Sequence, residues 1–211
     1  MKKQGFSILV VLTLVMAFST HRSFGKERGV QPASLFRLDY QYGALNPWLF
    51  YEVPLSANVG LLTVWQMSTQ GFAQIDIGPV FHLGNWQLIP QVGIDFFESS
   101  QDGARIGHIV PEFYAIHTGA MVSFESWNLC FIKAHEEPST FYYYRDHLLC
   151  RAGKWLALGP QIEGYLFPDA KPDHYFGGHV DIDAGAGTIG LFYGQNRDQR
   201  GVFRMTFLKF F

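Results

Sequence analysis

The chain has 211 residues, 17 % of them aromatic and only 16 % charged, with 22 glycines and a formal net charge of −2. Average soluble chains carry about 25 % charged residues, and a chain without a basic surplus lacks the electrostatic footprint of a nucleic-acid-binding protein. Mean hydropathy is +0.04, and past residue 25 no stretch approaches the roughly 18 continuous apolar residues of a transmembrane helix.

Lys2 and Lys3 precede an apolar run from Ile8 to Phe18. A basic start followed by an apolar run too short to span a bilayer predicts a secretory signal peptide over residues 1–25. Cleavage is placed after Ser19 or Gly25. Removing 1–25 takes away Lys2, Lys3 and Arg22 and no acid, leaving 13 bases against 18 acids. No nucleic acid is therefore expected as a partner. Residues 26–33 read as a short disordered lead, and 34–211 as one domain.

From Ser34 onward, segments with period-two alternation recur between clusters of Gly, Asn, Asp and Pro. The predicted strands are 34–42, 47–53, 55–67, 71–83, 86–97, 109–125, 127–135, 140–151, 154–167, 174–184, 187–195 and 201–211. Short connections at 83–86, 125–127, 151–154 and 184–187 alternate with longer polar ones at 68–71, 98–108, 135–140, 168–173 and 195–200. Tight turns at one end and longer loops at the other are the pattern of an up-and-down transmembrane barrel. The fold class is all-β: an antiparallel barrel of about 12 strands, with ten and then eight as the other counts. An even number follows from having both ends on one side of the membrane.

The faces agree with this. In 72–83, Ile75, Ile77 and Phe81 oppose Gln74, Asp76 and His82; in 86–97, Leu88, Val92 and Ile94 oppose Gln91 and Asp95. Prolines inside strands cannot donate to the ladder and are read as bulge markers. Trp65, Trp86, Trp127, Tyr142 and Tyr175 are assigned to aromatic girdles at the two membrane interfaces.

The last eleven residues, Gly201 to Phe211, alternate in the strand period, are rich in aromatic side chains and end on Phe. With the secretory start, this resembles the closing strand of a bacterial outer-membrane β-barrel protein, although Lys209 stands where that pattern has an apolar residue. The resemblance implies an outer-membrane location, with lipids and lipopolysaccharide around the barrel. It also implies barrel-insertion machinery that reads Phe211 during assembly.

The candidate lumen residues are Asp76, Asp95, His117, Glu163, His179, Asp181, Asp183 and Arg204, with His82, Arg145 and Arg151 as further counter-charges. Buried charges of this kind must be paired or hydrated. The cluster His179-Val180-Asp181-Ile182-Asp183 could offer two metal ligands, but no third stands at a recognisable spacing. No metal, cofactor or catalytic residue is expected. Arg197 and Arg200 are candidates for gripping lipopolysaccharide phosphate. Cys130 and Cys150 are expected to face each other across a hairpin centred near Thr140, within disulfide reach. The function expected is a non-enzymatic narrow channel or a structural, surface-interacting barrel, and a monomer. The alternative is an enzyme acting on lipid A or phospholipid.

Overall fold

The computed structural model describes residues 33–99, 103–135 and 139–211; the segment expected to be a signal peptide lies outside them. The described chain forms twelve strands: β1 (Ala33–Gln41), β2 (Ala44–Pro54), β3 (Val59–Ser68), β4 (Phe72–Leu83), β5 (Trp86–Ser99), β6 (Gly103–Thr118), β7 (Val122–Lys133), β8 (Phe141–Arg151), β9 (Leu156–Leu166), β10 (Asp173–Asp183), β11 (Thr188–Gln195) and β12 (Gly201–Phe210). Each pairs antiparallel with its neighbour in sequence, and β1 pairs with β12, closing the barrel. Closure removes the free edge that an open sheet would expose. Within a membrane, closure also gives both edges of every strand a neighbour to pair with.

The twelve-strand count follows from the turn chemistry. The β1–β2 connection is a tight turn in which Tyr42 and Gly43 both take positive φ, 51° and 77°. That conformation favours glycine. The short turns after β4 and β10 place Gly84 and Gly185 at φ 64° and 76°. At the latter, the Asp183 carboxylate also accepts the Gly185 N–H at 2.8 Å. The ends of β2, β4, β6, β8 and β10 lie at one rim, here the periplasmic rim, where outer-membrane barrels keep their short turns. Residues 134–135, 139–140, 167–172 and 196–200 lie at the opposite, outer rim.

The outer wall follows the alternation. Ile75, Ile77, Phe81, Val92, Ile94, Phe113, Phe176, Phe203 and Met205 are exposed large apolar side chains. An outward apolar band around a polar interior is what a lipid environment selects. The inward face divides in two. On β2–β8 it carries Trp48, Leu62, Val64, Val80, Ile89, Val110, Tyr114, Trp127, Leu129, Phe131 and Tyr143, packed into one cluster. On β9–β12 and β1 it carries mainly charged and amide side chains, beside a small cluster of Tyr175, Phe192 and Val202, while Gln74, Asp76, Gln91, Asp95, His108 and Glu112 are buried polar groups within the β4–β6 part. The lumen is therefore largely filled.

Two local departures set positions in the lumen. Pro79 and Pro90 fall opposite each other in the β4–β5 register, where the ladder is interrupted between Ile77/Val92 and Phe81/Leu88 without a register shift. Neither proline has an N–H to give, so they mark a gap in pairing where a bulge was expected. The bulge lies further along, between Ile94 and Phe96 on β5. It sets Asp95 against the Gly107–His108 stretch of β6, and the Asp95 carboxylate accepts the His108 N–H at 2.6 Å.

Candidate functional site

Halfway down the lumen, three guanidiniums meet three carboxylates. Arg37 on β1 donates from Nε to both oxygens of Asp39, at 2.9 and 3.0 Å, two residues along the same face. It also reaches Glu125 on β7 at 3.8 Å, which Arg145 on β8 holds at 2.5 Å. On the adjoining strand β12, Arg204 pairs with Glu163 on β9 at 2.9 Å and donates to the hydroxyl of Tyr143 at 2.9 Å. It donates as well to Gln41 Oε1 at 2.7 Å, whose amide returns a bond to Glu163 at 3.2 Å. Thr206 completes the shell of Asp39 at 2.7 Å. Arg–carboxylate pairs of this kind are strong because both partners are ionised.

Trp127 is the hinge between the charged and apolar halves. It is 3 % exposed, and the guanidiniums of Arg37 and Arg145 lie over its ring at 5.5 and 4.8 Å. Such cation–π contacts strengthen when water is excluded. Trp48 packs edge-on to it at 4.8 Å, and Tyr114 and Tyr143 flank it at 4.9 and 5.9 Å. Side chains from both halves thus meet at one constriction.

Above the constriction, toward the outer rim, lies a cavity of about 420 Å³. One wall is aromatic, with Phe131, Phe141, Tyr143 and Tyr165; the other carries Asn46, Gln66, Ser68 and Gln70, over Arg204 and Asp39. Its size and mixed lining are those of a small-molecule site. Below the constriction a pocket of about 40 Å³ is lined by Arg37, Glu125, Arg145, His147, His179 and Asp181. A pocket that small holds a few waters.

Two buried acid groupings sit on the β4–β6 side. Gln74 donates to Asp76 at 2.7 Å and to Glu112 at 2.5 Å. The Gln74 amide thus bridges the two carboxyls, and the Trp127 indole N–H reaches the other oxygen of Glu112 at 3.4 Å. Nearer the outer rim, His108 and Asp95 are fully buried and joined at 2.6 Å. The second ring nitrogen of His108 faces the backbone carbonyl of Ser139 at 3.1 Å. With an acceptor on each side, that ring clamps the segment leading into β8.

The sequence-based candidates distribute as follows. Asp76, Asp95, Glu163 and Arg204 lie in the lumen. His179 joins Asp181 at 2.8 Å and Gln161 at 2.5 Å, below the constriction. Asp183 is exposed at the periplasmic rim. His117 was expected inside and lies outside, its ring against Trp86 at 4.8 Å, because Ile116 takes the inward position. Trp65 and Trp86 face outward, and Tyr142 faces outward at the outer end of β8, where its hydroxyl bonds Asn128. Trp127 and Tyr175 were expected at the interfaces and instead point inward. The turn expected at 125–127 falls at 119–121, closed by the Gly119 N–H on Val122 O at 2.9 Å. Strand β7 therefore carries Glu125 and Trp127 into the lumen. Tyr175 lies near the outer end of β10 and donates to Asp173 at 2.8 Å.

The expected Cys130–Cys150 bridge does not form. The β7–β8 register sets Cys130 against Tyr142 and Cys150 against Val122, and both thiols are free. Arg200 pairs with the neighbouring Asp198 in an exposed loop. Arg37, Asp39, Glu112, His108 and Trp48 were missed. The spacing Arg37-Leu38-Asp39 within an alternating run was the available signal for the first two.

No family model matches this chain, and no curated protein matches it. Solved structures do. The NanC porin superposes with a TM-score of 0.56 at 12 % identity, over 84 % of this chain and 99 % of the porin. The KdgM porin gives 0.52 at 11 %, over 84 % and 98 %. An outer membrane channel from Pseudomonas putida F1 gives 0.59 at 8 %, over 92 % and 100 %. Closed antiparallel wall, apolar belt and polar lumen define a transmembrane β-barrel. The fold it shares with these proteins is that of the bacterial outer membrane, and that is where this protein resides.

Proposed function

We propose that the protein is a non-enzymatic channel of narrow bore, which admits small polar solutes from outside into the vestibule and passes ions or water through the Arg37–Trp127–Arg145 constriction. The observation that carries this is the 420 Å³ vestibule ending directly on a charge-balanced, aromatic-walled neck. A purely structural barrel has no need of an amide- and aromatic-lined cavity at its mouth. Lipids and lipopolysaccharide around the belt, and insertion by the barrel-assembly machinery, belong to the same reading. The lipid-hydrolase alternative would need a nucleophile beside an acid–histidine pair. The Asp95–His108 pair instead spends both ring nitrogens on structural acceptors.

The test is conductance in planar bilayers. The wild type should give small unitary steps. Trp127→Ala, which removes the ring that both guanidiniums contact, should enlarge them several-fold while costing about 3–5 kcal/mol of stability. Absence of steps from both proteins, with the barrel shown folded by its shift on gels between unboiled and boiled samples, would overturn the channel.

A further inference from the structure

The outer wall is apolar on most strands, and one sector departs from that. On β7–β10 the outward positions carry Ser126, Asn128, Tyr142, Tyr144, Asp146 and His174. They bond among themselves: the Asn128 amide donates to Ser126 Oγ at 2.9 Å, the Tyr142 hydroxyl bonds Asn128, and the Tyr144 hydroxyl meets His174 Nδ1 at 2.6 Å. The last of these bridges over Gly164. Asp146 stands midway along β8, directly opposite Ser126 on β7 and Ile162 on β9. The same row continues through Ala115 and Leu88 on one side and Phe176 on the other, so Asp146 lies within the apolar belt. Among the described residues it is the only acid on the outer face of a strand interior, and no hydrogen-bond donor there holds its carboxylate. Acyl chains offer it nothing, and a charge at this depth is destabilising.

We propose that this sector is the interface of a homodimer, with Asp146 at its centre. Both copies are inserted the same way up, so a two-fold axis relating them runs along the membrane normal. Groups then meet groups at their own depth. An axis passing between β7 and β8 sets Ser126 of one copy against the partner's Asp146, and the reverse, so each hydroxyl donates to a carboxylate. The neighbouring row brings the Asn128 amide to the partner's Tyr144 hydroxyl in the same reciprocal way. The match is one the surface makes with itself, which favours a second copy over a foreign chain. Ala115 and Gly178 carry little or no side chain beside this row. The monomer expected from the sequence took no account of which face Asp146 occupies. This inference is independent of the channel reading and survives its failure.

The test uses the full chain in native outer membranes, with Cys130 and Cys150 replaced by Ser. Ser126→Cys should oxidise to a species of twice the chain mass, roughly tenfold more efficiently than Tyr51→Cys, an outward position on the opposite side of the barrel. In mild detergent the unmodified protein should sediment as a dimer. Asp146→Leu, which removes the group that lipid cannot satisfy, should sediment as a monomer and still shift on gels between unboiled and boiled samples. A monomeric wild type, equal cross-linking at both positions, a Ser126→Cys adduct with a different protein, or a dimeric Asp146→Leu would each overturn the proposal.

Discussion

Arg204 and Glu163 show what alternation can and cannot tell at the scale of one residue. Both are among the most buried charges of the lumen, at 4 % and 0 % exposure. Their inward direction was legible from period-two parity on their own strands. Their partnership was not, because parity says which side of the wall a side chain occupies and nothing of what it meets across the barrel. The same limit applies to Trp127, whose two guanidinium neighbours come from β1 and β8. Arg204→Met should leave Glu163 as an uncompensated buried charge, which costs about 3–5 kcal/mol. A marked fall in the temperature at which the folded gel band is lost would register that. The double variant Arg204→Met/Glu163→Gln should recover part of the loss, since no ion is then stranded. A double variant no better than the single one would show that packing, and not charge, is what Arg204 supplies.

At the scale of the element, β7 is where the sequence misled and the reason is specific. Glu125-Ser126-Trp127 looks like a polar turn followed by an interface tryptophan. The chain turns instead at Gly119-Ala120-Met121, six residues earlier, because Gly119 and Val122 close that hairpin. The Cys130–Cys150 mismatch comes from the next hairpin: β7 and β8 pair Phe131 with Phe141, where a hairpin centred near Thr140 would pair it with Leu149, so Cys130 meets Tyr142 and not Cys150. Hairpin register is set by where the turn closes, and here two turn-like segments competed. Both thiols should therefore be modified by alkylation without prior reduction, and mass spectrometry would count them. An unmodified pair carrying a disulfide would mean that the β7–β8 hairpin is centred near Thr140 after all. Elsewhere the turn chemistry was unambiguous: Gly84 and Gly185 stand at positive φ within connections the sequence marked correctly.

At the scale of the whole molecule, the closed antiparallel barrel and its twelve strands were legible, because alternating connection lengths and an even strand count constrain one another. The filling of the lumen was not legible. Inward positions on β2–β8 read as part of long apolar stretches, and nothing in a linear pattern distinguishes a wide bore from one whose walls touch. The charge balance at the neck carries the last prediction. Arg37, Arg145 and Arg204 face Asp39, Glu125 and Glu163, three charges of each sign, so ions crossing there meet no net field. Selectivity of the wild type between K⁺ and Cl⁻ should accordingly be weak. Glu125 is the member to alter, because its side chain keeps 20 % exposure, so its neutralisation is tolerated better than that of Glu163. Glu125→Gln leaves Arg37 with Asp39 alone and Arg145 without a carboxylate, a net positive neck with low-dielectric walls that focus its field. Under a KCl gradient the reversal potential should move toward that of chloride, and the shift should shrink as ionic strength screens the arginines. An unmoved reversal potential in a conducting, folded Glu125→Gln barrel would mean that ions take another path, and that the guanidinium neck is a plug.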